Sequence, residues 1–305
     1  MASIAVVGAS GFVGAAVSEA VLSAGHQLSR VRAPRVDKSE VNQELDLEGN
    51  TFVQLCSRFK GVDAVINCAG KADASENDQS VLVAANALSP AVVAAAARIA
   101  GVPRLVHVSS AAVQGRSTCL DNSETTDEFT PYSYSKAEGE RLVRREFSEA
   151  VIYRPPGVHG QGRRVSFLTA RIAASPLASV AAPGNQPSPQ ALIGNVASAL
   201  LFLALSEFSP PRIVIHPWEG LTVTDVMAAL GGKPPITLPR GIAQSVARVL
   251  ELGGRRSPLI AANARRIEML WFGQGQAESW LTTSGWYPPQ GKGAWVELGE
   301  VLRHQ

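Results

Sequence analysis

The chain has 305 residues, 46% of them hydrophobic, enough to bury a large core and long for one compact domain. Its 28 basic residues are nearly matched by 26 acidic ones, so a net charge of +2 gives no electrostatic case for nucleic-acid binding. Cys56, Cys68 and Cys119 have no metal-ligand spacing and cannot all pair, so they read as reduced thiols of a cytoplasmic protein without a metal site.

The run Ser3 to Val7 predicts a first strand, with no basic leader before it and therefore no signal peptide. It flows into Gly8-Ala9-Ser10-Gly11-Phe12-Val13-Gly14 and a helical pattern to Ala24, the strand, glycine turn and helix that a dinucleotide site requires. Gly8 permits the tight turn, Gly11 lets backbone approach a pyrophosphate, and Gly14 allows close helix packing, with the helix N-terminus facing the phosphates. Further strands are predicted near residues 27–31, 63–67, 104–108 and 150–153, and helices near 51–59, 87–100 and 131–147. That alternation predicts an α/β fold: a Rossmann-type doubly wound parallel sheet.

At the end of the second strand an NAD site would place an acidic side chain for the ribose 2′-hydroxyl. Here stand Arg32 and Arg35, which can neutralise a 2′-phosphate, so NADP is favoured and NAD stays possible. Beyond Arg154 the rhythm breaks at repeated prolines. Residues 1–155 therefore read as the dinucleotide-binding domain, which also receives a strand and helix from about 190–216, and 156–305 as a smaller C-terminal substrate-binding lobe. In that lobe Arg212 to His216 predicts a strand, Thr222 caps a helix Val223 to Leu230, and Gly241 to Leu252 is a basic helical stretch. The apolar stretch Ala197 to Leu205 is far below the roughly twenty residues that span a bilayer, so no membrane insertion is expected.

Tyr132 and Lys136 stand at i and i+4 of the predicted helix and share a face, and Ser109-Ser110 lies upstream. A cation beside a phenol favours the phenolate and fits it for proton transfer near neutral pH, while Ser110 can hydrogen-bond the reacting oxygen. Tyr134 points away from Tyr132 and has Glu138, not lysine, at i+4, which excludes it as the base.

With Gly8-x-x-Gly11-x-x-Gly14, Ser109-Ser110 and Tyr132-x-x-x-Lys136, the chain resembles the extended short-chain dehydrogenase/reductase family, which includes sugar-nucleotide epimerases and dehydratases. The stretch Asp63 to Gly70 looks like the family strand that ends beside the cofactor, which puts Cys68, Ala69 and Gly70 there. Asn86 falls where the family has an asparagine opening the next helix, and Arg104 to Gly115 matches the strand that carries Val108 to the cofactor and Ser110 to the substrate. Arg154-Pro155-Pro156-Gly157-Val158-His159-Gly160 is similar to the family's Arg-Pro-x-x-Val-Tyr-Gly, and Asp46 and Leu47 sit where relatives contact adenine. The resemblance implies an NAD(P)-dependent enzyme. Hydride moves between nicotinamide carbon 4 and a carbinol or ketone carbon, Tyr132 handles the proton, Lys136 binds the nicotinamide ribose and Ser110 orients the oxygen.

The ending Leu281 to Pro289 resembles the Leu-Gly-Trp-x-Pro of nucleotide-sugar enzymes, and Gly194 to Ala199 resembles the segment before a helix in their substrate lobe. A nucleotide-sugar diphosphate needs cations, for which Arg163, Arg164, Arg171, Arg265 and Arg266 are available, with Lys71 and Ala111 beside the reacting end. Relatives carry an arginine where this chain has Pro189-Gln190. Three readings stay open: a nucleotide-sugar 4-ketoreductase or 4-epimerase, an NADP-dependent reductase of an apolar ketone or alcohol, and a non-catalytic NADP-sensing protein. Helix 87–100 is apolar nearly all round, and the resemblance implies that it joins a four-helix homodimer interface.

Overall fold

The computed structural model describes every residue except 42–43, 74–75, 77, 116 and 255–257, and describes the backbone but not the side chains of the others between 254 and 263. Six parallel strands form the central sheet in the order Ile213–Ile215, Val151–Arg154, Arg104–Val108, Ala64–Asn67, Ser3–Val7, Gln27–Val31. The first four central strands are buried almost throughout, as expected of β-branched runs covered on both faces. The order reverses at Ser3–Val7: its next strand in sequence lies on one side and all later ones on the other, and such a switch point opens a crevice at the carboxyl ends of the strands.

One face of the sheet packs on Asn50–Phe59 and Ser89–Ile99, with Pro131–Glu146 alongside. The other packs on Phe12–Ser23 and Ile193–Leu205. The segment Gly194 to Ala199 therefore lies inside a helix against the sheet, not before a helix of the substrate lobe; its Val196, Ala197, Ala199 and Leu200 are apolar and fill the second face. The lobe has its own core, in which Val180, Val226, Leu230, Leu270 and Trp295 meet.

Helix 87–100 is longer than expected. Helical structure runs from Gln79 to Ile99, opened by Asp78, whose carboxylate accepts from the Ser80 and Val81 amides. Pro90 has no N–H for the Asn86 carbonyl, and the five residues before Ser89 take a π-helical turn, Ala84–Leu88, that accommodates the break. By length and composition this helix could cross a membrane, but 83% of its apolar window is buried inside the fold. Its all-round apolarity is met within one chain: Ala87, Leu88 and Ala91 are covered by Leu142 and by Val36, Val41 and Leu45 of the segment after the second strand. The homodimer expectation thus loses the observation that motivated it.

Sheet and lobe are joined through a buried polar chain. The Tyr153 hydroxyl meets His216 Nδ1, His216 Nε2 lies 3.0 Å from Glu219 Oε1, and Glu219 accepts from the Leu192 amide (3.1 Å) and from Trp295 Nε1 (3.2 Å).

Candidate active site

The glycine turn sits at the switch point. Gly8 adopts φ 75°, a conformation that side chains disfavour, and a Cβ there would press on Ala69 at 3.1 Å. A Cβ on Gly14 would overlap the Gly8 carbonyl, so helix Phe12–Ser23 packs against the turn only because Gly14 has none. Gly11 caps that helix without a side-chain hydrogen bond, leaving its first amides directed outward for an anion.

In front of this helix end lies a cavity of about 1170 Å³ lined by Gly8, Ser10, Arg32, Arg35, Ala69, Gly70 and Lys71, among others. Arg32 and Arg35 are exposed, and among the described residues neither forms an ion pair. The carboxylates that share this wall, Asp37 and Glu40, form a capping box: Asp37 accepts from the Ser39 amide at 2.9 Å and Glu40 from the Asp37 amide at 2.8 Å. The sequence carried that box as Asp37-x-x-Glu40, the signal by which the wall could have been found. Phe12 and Val13 pack beside Val158 in the core under the turn. Asp46 and Leu47 do not line the cavity. Asp46 accepts from the Gly49 (2.7 Å) and Glu48 (3.1 Å) amides at the start of helix Asn50–Phe59, and Leu47 packs on the core.

Ser110, Tyr132 and Lys136 come together at the carboxyl end of Arg104–Val108. Thr130 caps helix Pro131–Glu146 through a box with Ser133, with Pro131 in the first turn, and this sets Tyr132 at the helix start. Ser110 bears on the Tyr132 phenol and favours its ionised form, and Ser110 Oγ accepts from the Ala112 amide at 3.2 Å. Burial pushes the Tyr132 phenol above its ordinary value, opposed by the Ser110 hydroxyl and by the Arg163 cation. Lys136 is buried and donates to the Val108 carbonyl at 2.7 Å; burial lowers its pKa to about 8, against the pull of Glu140. The cation that bears on Tyr132 here is thus Arg163, while Lys136 holds the strand end.

Glu140, one turn beyond Lys136, was not singled out in the sequence. It receives Arg154 through two bonds, Nε at 2.9 Å and Nη2 at 2.7 Å, and accepts from the Ser109 hydroxyl. Arg154 also donates to the Ser123 carbonyl at 2.8 Å, so one buried pair ties the serine strand, the tyrosine helix and the next strand together. The Ala111 amide donates to the Pro155 carbonyl at 2.9 Å and finishes the serine turn.

Asn86 closes the cofactor side. Its amide clamps the Lys71 backbone from both directions, accepting at 2.7 Å and donating at 3.1 Å, and donates to Ser135 Oγ at 2.9 Å. Gly70 has φ 151° and a Cβ there would crowd Asn86 Oδ1 and come within 3.7 Å of Lys136 Nζ. Lys71 pairs with Glu76 at 2.5 Å. Burial pushes the Cys68 thiol to about 12, so it stays protonated and packs.

On the lobe side Arg163 lies with Cζ 4.8 Å from the centre of the Phe12 ring, and among the described residues its buried Nε has no partner. Its charge bears on Tyr132 and on Arg266, and Arg266 bears on Arg164. Arg265 is paired to Glu268 at 2.9 Å, and Arg171 is exposed above Phe167 of its own helix, so the structure does not bring these two to the cluster. His159 is buried against Trp295 and Gln190, and burial brings its pKa to about 4. Among the described residues no group of three or more His, Cys, Asp or Glu could hold a metal.

A glycine cradle at a helix N-terminus, opening beside a Ser-Tyr-Lys constellation, defines a dinucleotide-dependent enzyme of oxidoreductase chemistry; the cradle fits NAD(P), whose pyrophosphate would meet the free amides after Gly11. The model of the NAD dependent epimerase/dehydratase family matches residues 4–204, and the chain belongs to that family. Among solved structures it is similar to gox2253 (21% identity, TM-score 0.69, covering 100% of this chain and 98% of that one). It is also similar to UDP-glucuronic acid 4-epimerase from Bacillus cereus in complex with NAD (16%, TM-score 0.66, 99% of both chains). A third is dTDP-4-dehydrorhamnose reductase from Bacillus anthracis str. Ames in complex with NADP (17%, TM-score 0.60, 78% of this chain and 84% of that one). A search of curated proteins finds no match.

Proposed function

We propose that the protein is a nucleotide-sugar 4-ketoreductase or 4-epimerase that prefers NADP. The observation that carries the reading is Arg163: its guanidinium bears on Tyr132, its Nε is buried without a partner among the described residues, and the like charge of Arg266 bears on it, which together suit an anion there. A sugar diphosphate would supply that charge while its hexose reaches Tyr132. NADP preference is supported by Arg32 and Arg35 on the cavity wall, which form no ion pair among the described residues.

The bound dinucleotide would supply or accept hydride at the substrate carbon. Tyr132 gives a proton to the oxygen of a ketone, or takes one from a hydroxyl, and Ser110 holds that oxygen through its hydroxyl. Asn86 fixes the loop Gly70–Lys71, and Lys136, charged below about pH 8, stands where a ribose would lie. A cytoplasmic setting agrees with three free cysteines, none paired.

The test is native mass spectrometry of the purified protein together with turnover of UDP- and dTDP-linked hexoses and their 4-keto forms. Retained NAD(H) with exchange of C4 configuration marks an epimerase, and NADPH consumption with a 4-keto sugar marks a reductase. If neither class turns over while an apolar ketone does, the nucleotide-sugar reading fails; tighter binding of NAD than of NADP by titration removes the cofactor preference. Pairing of two copies rests on the resemblance alone, and a mass near 32.1 kDa by light scattering would remove it.

A further inference from the structure

Given Ser110, Tyr132 and Lys136 as the proton-transfer residues of the function proposed above, we infer that Glu140 is their positioning residue: it holds the Ser110 turn through Ser109 and the Lys136 ammonium from one helical turn away. The chain on both sides of Ser110 is tied to the same two elements. Before it, the Val108 carbonyl accepts from Lys136 Nζ at 2.7 Å and the Ser109 hydroxyl donates to Glu140 Oε1. The Ser109 amide donates to the Tyr153 carbonyl at 2.8 Å, and beyond Ser110 the Ala111 amide donates to the Pro155 carbonyl at 2.9 Å. Between Tyr153 and Pro155 stands Arg154, which gives Nε to the Glu140 oxygen that takes Ser109 and Nη2 to the other. Breaking that pair therefore loosens both anchors of Ser110. A buried ion pair carries a desolvation cost that apolar packing would avoid, so what an apolar contact could not replace is the bond to Ser109 and the charge.

The charge has a target. Glu140 stands at i+4 from Lys136 on one face of helix Pro131–Glu146, and its carboxylate holds the proton on Lys136 against burial. The other titratable groups around that ammonium are neutral. Burial keeps the Cys68 thiol and the Tyr132 phenol protonated and keeps His107 of Arg104–Val108 unprotonated. Helix Gln79–Ile99, packed on the other side, carries one charged residue, Arg98, and it is turned to the Glu146 carbonyl at the far end. Among the described residues Glu140 is thus the anion that serves Lys136.

The test reads Lys136 and turnover separately in the full-length protein. NMR of protein isotope-labelled at lysine Cε, with the Lys136 signal assigned by its loss in Lys136→Arg, gives the titration midpoint of Lys136 without any substrate. Glu140→Gln should lower that midpoint by about one pH unit or more, as loss of a close opposite charge does. Glu140→Gln/Arg154→Met leaves no guanidinium buried without its carboxylate, so it should fold where the single variant does not and lower the midpoint likewise. Ser109→Ala keeps the ion pair and should leave the midpoint and Tm unchanged. It should cut kcat about tenfold or more, with KM within about twofold, on whichever UDP- or dTDP-linked hexose or 4-keto form wild type turns over, since a displaced reacting group costs up to roughly 10²-fold. A positioning role is overturned if the folded Glu140 variants titrate Lys136 as wild type does, even where their Tm falls, or if Ser109→Ala turns over as wild type does. If wild type turns over none of these sugars, the proposed function falls, and the Lys136 midpoint alone decides the role of Glu140.

Discussion

Tyr132 and Lys136 do different work although they share one helix face. Burial keeps the Tyr132 phenol protonated, so its proton is available for donation. Tyr132→Phe removes that proton without removing bulk. We expect NADP affinity within about twofold of wild type and turnover down by roughly 10²- to 10⁴-fold, the range for a general acid-base group; turnover within tenfold of wild type would take Tyr132 out of this role. Lys136 titrates near 8 because it is desolvated, so the cation is lost as pH rises through that value. Turnover that depends on it should fall above about pH 8, and Lys136→Arg should move the falling limb upward in a pH-rate profile. For stability the sign is opposite. The unfolded chain keeps this proton up to about 10.5, so between the two values it binds more protons than the folded one and folding gains as pH rises.

Among the elements, the first strand-turn-helix unit was legible residue by residue, because glycine spacing there answers a steric demand that the structure shows directly at Gly8 and Gly14. Gly14→Val should therefore break the unit. Its side chain would have to displace the Gly8 carbonyl, costing roughly 1–3 kcal/mol in urea unfolding and abolishing NADP binding; a variant that binds NADP normally would contradict this packing. Helix Pro131–Glu146, which carries the candidate residues Tyr132 and Lys136, was equally legible from its sequence. Other elements were hidden for physical reasons. The helix that starts after Asp78 was read as beginning near 87, where Asn86 resembles the family's helix-opening asparagine, and the π-helical turn before Ser89 leaves no pattern in sequence. Ile193–Leu205 was read in two ways, as a helix received by the dinucleotide domain and, from the likeness of Gly194 to Ala199, as chain before a lobe helix, because a helix apolar on most sides does not reveal which layer it covers. Glu140 and Arg154 lie 14 residues apart, and only the parallel crossover between their elements brings them to one buried pair. The arginines near Tyr132 could be named from sequence as available cations, but sorting Arg163 and Arg266 from Arg171 and Arg265 needed their partners.

At the scale of the molecule, the sheet and the lobe depend on Glu219. Its carboxylate serves His216, the Leu192 amide and the Trp295 indole at once, so Glu219→Ala leaves three buried donors without an acceptor. Each such loss costs about 1–3 kcal/mol in isolation and the three are coupled, so we expect a destabilisation of roughly 3 kcal/mol in urea unfolding. A change below about 1 kcal/mol would mean that the lobe is held by its apolar contacts alone.

The segment after the second strand does two jobs at once. Arg35, Val36, Asp37 and Glu40 form a wall of the cofactor cavity, while Val36, Val41 and Leu45 roof the helix that carries Ala87 and Ala91. A wall and a roof cut from the same stretch of chain must open and close together. Filling the cavity with NADP should therefore be felt as a local stabilisation of that helix, read as slower amide hydrogen exchange across Ala84–Leu88 and Ser89–Ile99, while the distant helix Lys292–Arg303 exchanges at an unchanged rate. Equal slowing in both helices would mean that the cofactor stabilises the molecule only as a whole.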